Sequence, residues 1–126
     1  MLKQILEIYD ALDDSKASAS GLAELLESRG PVKAEVKQIE GPRGSTGFIK
    51  VTVPGASGKS TGGDAPTLGI IGRLGGIGAR PERIGLVSDA DGAVAALGCA
   101  LKLAEMASRG DRLTGDVIIS THICPD

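Results

Sequence analysis

The sequence predicts an α/β domain, and three observations carry that reading. Apolar residues recur at helical spacing near the N-terminus and again over a long stretch after position 91. Short β-branched runs, bounded by glycine and proline, stand between and after those stretches. In the last third of the chain a strand, a long helix and a strand follow one another, which is the order of a βαβ unit. The 126 residues suit a single domain, 1–126, with little room for another.

Leu2, Ile5, Leu6, Ile8, Tyr9 and Leu12 define one face of a helix over Leu2 to Asp13, and Asp13-Asp14-Ser15 marks its end. Ser20 is placed to cap a second helix carrying Leu22, Leu25 and Leu26, closed by Gly30-Pro31. Val32, Ala34 and Val36 alternate with Lys33, Glu35 and Lys37, the pattern of a half-buried strand. Phe48 to Val53 reads as its hairpin partner across a Gly-rich connection, and the polar segment Pro54 to Pro66 reads as a mobile loop. Thr67 to Ile71 and Ile84 to Val87 lack alternation, as strands of a buried parallel sheet do. Gly92 to Arg109 is the best helix, lined by Val94, Leu97, Leu101, Ala104 and Met106, and Asp116 to Thr121 is a final strand.

Composition narrows the function. With one Phe, one Tyr and no Trp, the chain has no platform for stacking bases. Its 14 basic side chains against 16 acidic ones give no footprint for polyphosphate, so nucleic acid is not expected as a partner. No segment has the roughly 20 apolar residues that span a bilayer, and the N-terminus lacks the apolar block of a signal peptide. Cys99 and Cys124 form no disulfide framework, which points to a reducing compartment. The expected location is the cytoplasm, without membrane contact.

Two glycine-rich stretches imitate nucleotide motifs. Gly55-Ala56-Ser57-Gly58-Lys59-Ser60-Thr61 suggests a phosphate loop, but the glycine required five positions before Gly58 is Val53, and no helix can follow through Thr61 to Pro66. Gly72 to Gly78 resembles a dinucleotide fingerprint with the wrong spacing, and Pro81 stands where its helix should be running. The 19 glycines read as turns between short strands or as a surface made of backbone.

The most informative segment is Ile84 to Asp126. Asp89 and Asp91 follow one expected strand and His122, the only histidine, follows the next. In parallel α/β sheets ligands gather outside those strand ends. A carboxylate with an imidazole can act as a base and its orienting partner, or bind a divalent, zinc-like metal. Asp89 and His122 are therefore the expected catalytic pair and the expected metal ligands. The plainer reading makes Asp91 the cap of the long helix and Cys124 a small apolar filler.

The stretch GDAPTLGIIGRLGGIGARPERIGLVSDADGAVAALGCALKLAEM, followed by GDVIISTHICPD and preceded by MLKQILEIYDALDD, resembles an uncharacterised bacterial family, domain of unknown function 1177. Members of that family are longer, so the resemblance implies an N-terminal half, or one chain of a two-chain assembly. A fainter likeness is to the co-catalytic dizinc exopeptidases, where a bridging Asp precedes a helix read Asp-x-x-Gly-x-x-Ala. Asp89-Ala90-Asp91-Gly92-Ala93-Val94-Ala95 is similar to that motif. Arg73-Leu74-Gly75 stands where the exopeptidases have His-x-Asp, and His122-Ile123-Cys124 where they have paired glutamates. The standard zinc set is thus incomplete, and Arg73, with Gly75 and Gly76, becomes a candidate for binding a substrate carboxylate.

These resemblances imply a three-layer α/β/α domain with a mixed, largely parallel sheet. They imply a hydrolase-like protein acting on a small amide or peptide-like substrate, with a second polypeptide as partner. The alternative is a non-catalytic subunit that binds a small anion or serves assembly.

Overall fold

The computed structural model describes residues 1–79 and 81–124. In chain order the elements are α1 (Leu2–Leu12), α2 (Ala19–Arg29), β1 (Lys33–Gly41), β2 (Gly44–Val53), a 3-10 turn (Lys59–Thr61), β3 (Leu68–Ile71), β4 (Gly76–Gly78), β5 (Gly85–Ser88), α3 (Asp91–Ser108) and β6 (Val117–Ile123). Among the described residues no helix is long and apolar enough to cross a membrane.

A four-stranded sheet runs in the order β1-β2-β6-β3. β1 with β2 and β2 with β6 are antiparallel, and only β3 with β6 is parallel. The sheet is mixed, as expected, but it is not largely parallel. The run Ile84 to Val87 does not enter it. β5 instead pairs antiparallel with β4 in a separate two-stranded ribbon, and Ile84 and Val87 lie 61% and 50% exposed. The crossover therefore joins β3 to β6 through the ribbon and α3, a longer unit than the one read from sequence. The hairpin also differs: β1 and β2 run on to Gly41 and Gly44, so only Pro42 and Arg43 connect them.

Strand alternation decides which face is covered. Along β6, Val117, Ile119, Thr121 and Ile123 are buried while Ile118, Ser120 and His122 are only half-buried. Ile49, Val51 and Val53 of β2 share the buried face. Side chains of a strand alternate between faces, so the helices cover one face and leave Phe48, Lys50, Ser120 and His122 on the other. The described residues thus form two layers, helices on sheet.

α3 is the centre of the covered layer. Its Ala93, Ala96, Ala100 and Ala104 let neighbours approach closely, while Leu97 and Leu101 fill the space against Ile8, Leu26, Ile49 and Ile119. A Cβ on Gly30, at the end of α2, would run into the carbonyl of Ala104, with its carbon 2.6 Å away. A Cβ on Gly98 would meet Ile5 of α1. Beside this core Arg29 of α2 pairs with Glu7 of α1 and, at 3.2 Å, with Glu105 of α3. Gln4 also donates to Glu105 at 2.7 Å. That hydrogen bond, with the charges of Lys3 and Arg29, holds the Glu105 carboxyl below its usual range despite the opposing effect of burial.

α2 begins at Ala19 because the Ser18 side chain, not that of Ser20, accepts the Gly21 amide at 3.1 Å. The capping role expected for Asp91 is not seen either. Asp91 is the first residue of α3 and makes no cap hydrogen bond, although its charge in the first turn suits the helix dipole.

Candidate functional site

At the C-terminal end of β3 the chain turns sharply to meet the start of α3. Gly72 continues the ladder by donating to the Ser120 carbonyl at 2.9 Å, and the Arg73 carbonyl then accepts the Ala93 amide of α3 at 2.9 Å. Gly75 donates to the Asp89 carbonyl at 2.5 Å. Close packing explains both glycines: a Cβ on Gly72 would lie 2.6 Å from the Gly92 oxygen, and one on Gly75 would lie 2.5 Å from the Asp89 oxygen. Gly76 begins β4 opposite Ser88, 3.3 Å from its hydroxyl once a Cβ is added. Arg73, Gly75, Gly76 and Asp89 are thus brought together, largely through main chain. The side chains of Arg73 and Asp89 are exposed, and neither enters an ion pair among the described residues.

His122 lies at the same end of the sheet but on its open face. It stands opposite Phe48 in the β2–β6 ladder, with ring centroids 5.9 Å apart and the planes tilted by 46°. Asp89, by contrast, leads into α3 on the covered side. Among the described residues there is no group of three or more His, Cys, Asp or Glu side chains able to hold a metal. Cys99 and Cys124 are free thiols, and Thr46 donates to the Cys124 sulfur at 3.4 Å.

A second cluster, which sequence reasoning missed, lies at the other end of the sheet. Asp116, just before β6, is 4% exposed. Its Oδ1 accepts the Gly55 amide and the Ser60 hydroxyl, and its Oδ2 accepts the Ser60 amide, each at 2.8 Å. These donors hold the Asp116 carboxyl below its ordinary value, the Gly55 amide contributing most. Thr61 adds a hydrogen bond to the Gly58 carbonyl at 3.1 Å. The segment read as a mobile loop is therefore pinned, and the residues that imitate a phosphate loop do bind an anion. That anion is the chain's own carboxylate, so the Gly55 and Ser60 amides are already taken.

The fold and this geometry define the class first: a two-layer α/β domain with a mixed sheet and a glycine-built turn at the strand ends. The chain belongs to a particular family within it, described as a protein of unknown function (DUF1177), whose model matches residues 37–126. No curated protein matches the chain.

Proposed function

We propose that this chain is an assembly subunit of its family, whose open sheet face is covered by a second polypeptide. The supporting observation is the apolar exposure on and beside that face. Ile39 is 47% exposed, Phe48 38% and Ile71 89%. Ile39 and Phe48, with Lys37, Lys50 and Ser120, line a cleft of ≈ 430 Å³. Exposed apolar surface rimmed by charge is the usual mark of an interaction site. Helices laid on this face by the partner would complete the three-layer α/β/α arrangement, and Arg73 with the glycine turn would face the partner or a small anion held at the join. Light scattering on the purified chain tests the reading. Association at micromolar concentration should be weakened when Ile39 and Phe48 are both replaced by lysine. A monodisperse wild-type monomer with a cooperative melt would overturn it.

One observation favours a second reading, a hydrolase acting on a small amide or peptide-like substrate. Arg73, Gly75 and Asp89 meet at the C-terminal end of β3, the same end of the sheet as His122, which is where α/β sheets bind ligands. In this reading, similar to the dizinc exopeptidases, Asp89 and His122 stand on opposite sides of that sheet end and act separately, each as a base or as one ligand to a zinc-like cation. Two ligands do not make a zinc site, so the remainder would come from the second polypeptide. Metal analysis with amidase assays on wild type, Asp89→Asn and His122→Ala discriminates. Equal metal content and equal turnover in all three would end this reading.

A further inference from the structure

β3 is one edge of the sheet, and its outer side is open. Leu68 donates to the Asp116 carbonyl and Gly72 to the Ser120 carbonyl, both in or beside the β6 ladder. Backbone groups of a strand alternate in direction, so those of Thr67, Gly69 and Ile71 point away from β6. The two edges of the sheet are protected very differently. β1, at the far edge, carries Lys33, Glu35, Lys37 and Glu40, the charges that discourage strand addition. Thr67 to Gly72 carries no charge and no proline, and Leu68 and Ile71 are 57% and 89% exposed. Beside this edge lies a mainly apolar recess lined by Leu68, Ile70, Leu103, Leu113 and Val117, with Lys102 as its one charged side chain.

We propose that this edge pairs with the β3 edge of a second copy, antiparallel about a two-fold axis at Gly69, joining two sheets into one. The partner's chemistry follows from the register. With Gly69 opposite Gly69, Thr67 stands opposite Ile71 of the other copy, and all three positions present outward backbone groups. Leu68 then lies beside Ile70 of the other copy on the covered face, closing both recesses. The flanks are complementary in charge: Arg73, two residues past the end of β3, and Asp64, four residues before its start, are both exposed, and an antiparallel pairing brings the end of one strand to the start of the other. A two-fold axis makes that pair twice. Gly69 suits the axis because a Cβ there would meet nothing within 4 Å in the isolated chain, leaving room for close approach of another backbone.

This inference rests on the reading of the chain as an assembly subunit, and the experiment separates the two. Sedimentation equilibrium on the wild-type chain should give twice the 12.7 kDa monomer mass. Gly69→Pro, which removes an outward amide, and Ile71→Lys should each weaken self-association at least about tenfold. Circular dichroism and melting curves establish that these variants are folded. Arg73→Glu should weaken the pair, and Asp64→Arg in the same chain should restore it, a rescue that misfolding or loss of apolar surface would not give. Association lost in the Ile39 and Phe48 lysine variant but retained in Gly69→Pro and Ile71→Lys would overturn the edge pairing while leaving the assembly reading intact. A wild-type monomer throughout would overturn both.

Discussion

Replacing Gly30 by alanine tests the packing of α2 on α3 directly. Gly30 has φ −175, an extended conformation that any residue adopts, so backbone preference does not require glycine there. What requires it is space. An added Cβ would press on the Ala104 carbonyl group, 2.6 Å from its carbon and 3.0 Å from its Cα. These are backbone atoms of α3, one turn before its C-terminal end, and cannot rotate aside as a side chain would. Overpacking of this kind costs about 1–3 kcal/mol, and the rigidity of the clashing group argues for the upper part of that range. For a chain of this length a loss of 1 kcal/mol lowers Tm by roughly 4 °C, so Gly30→Ala should melt roughly 8–12 °C below wild type. Gly110 is the control, with φ +80 and nothing within 4 Å of an added Cβ. There the cost is conformational, and asparagine, which tolerates the left-handed region, should be better than alanine. At Gly30 the order should reverse, since asparagine is larger. Differential scanning calorimetry on the four variants decides. An unchanged Tm for Gly30→Ala, or asparagine equal to alanine at both sites, would refute the steric account.

Leu101→Ala, at a fully buried site on α3, should cost about 2–5 kcal/mol by urea denaturation, and a loss under about 1 kcal/mol would show that α3 does not occupy the centre. Gly98→Ala should be destabilising because of Ile5, and Ile5→Ala in the same chain should recover part of the loss, giving a non-additive double-mutant cycle. Asp116→Asn should free residues 54–66, detected as faster proteolysis and faster amide exchange at Gly55 and Ser60. Because folding lowers the Asp116 pKa, its contribution is present above the unfolded value near 4 and is lost as pH falls through the folded one. Loop protection should therefore be flat from about pH 7 to 5 and decline only in stronger acid. The same decline in Asp116→Asn would exclude Asp116 as the titrating group.

Local patterns were legible in the sequence and long-range ones were not. The periodicity of Val94, Leu97 and Leu101 marked α3, and the alternation of Ala34 and Val36 with charged residues marked β1, because both patterns are written within a few residues. Ile84 to Val87 misled because an unbroken apolar run signals burial on two faces, whereas here it pairs with β4 in a separate ribbon that buries Ile77 and Gly85 and leaves Ile84 and Val87 exposed. The turn from Gly72 to Gly76 was picked out for binding, and the structure accounts for Gly72 and Gly75 by contact with the residues that open α3. The partnership of Asp116 with Gly55 and Ser60 had no local signature. Its one hint was a lone carboxylate directly before a β-branched strand, in a chain whose glycine- and serine-rich loop had no ligand of its own.

The strand order has a consequence for the way the chain assembles itself. β6 stands between β2 and β3, yet it is the last of the four to emerge in sequence. The β1–β2 hairpin and α1 can form from neighbouring residues, but β3 has no strand to join until β6 arrives, and residues 54–66 wait for the same segment to bring Asp116. Contacts that close such long loops come late in folding. During synthesis the N-terminal hairpin is therefore a preformed template, and insertion of β6 is the single event that zips the sheet and locks the loop together. Pulse-labelled amide exchange should show residues 33–53 protected first, with the amides of Gly55, Ser60 and Leu68 acquiring protection together in one later phase.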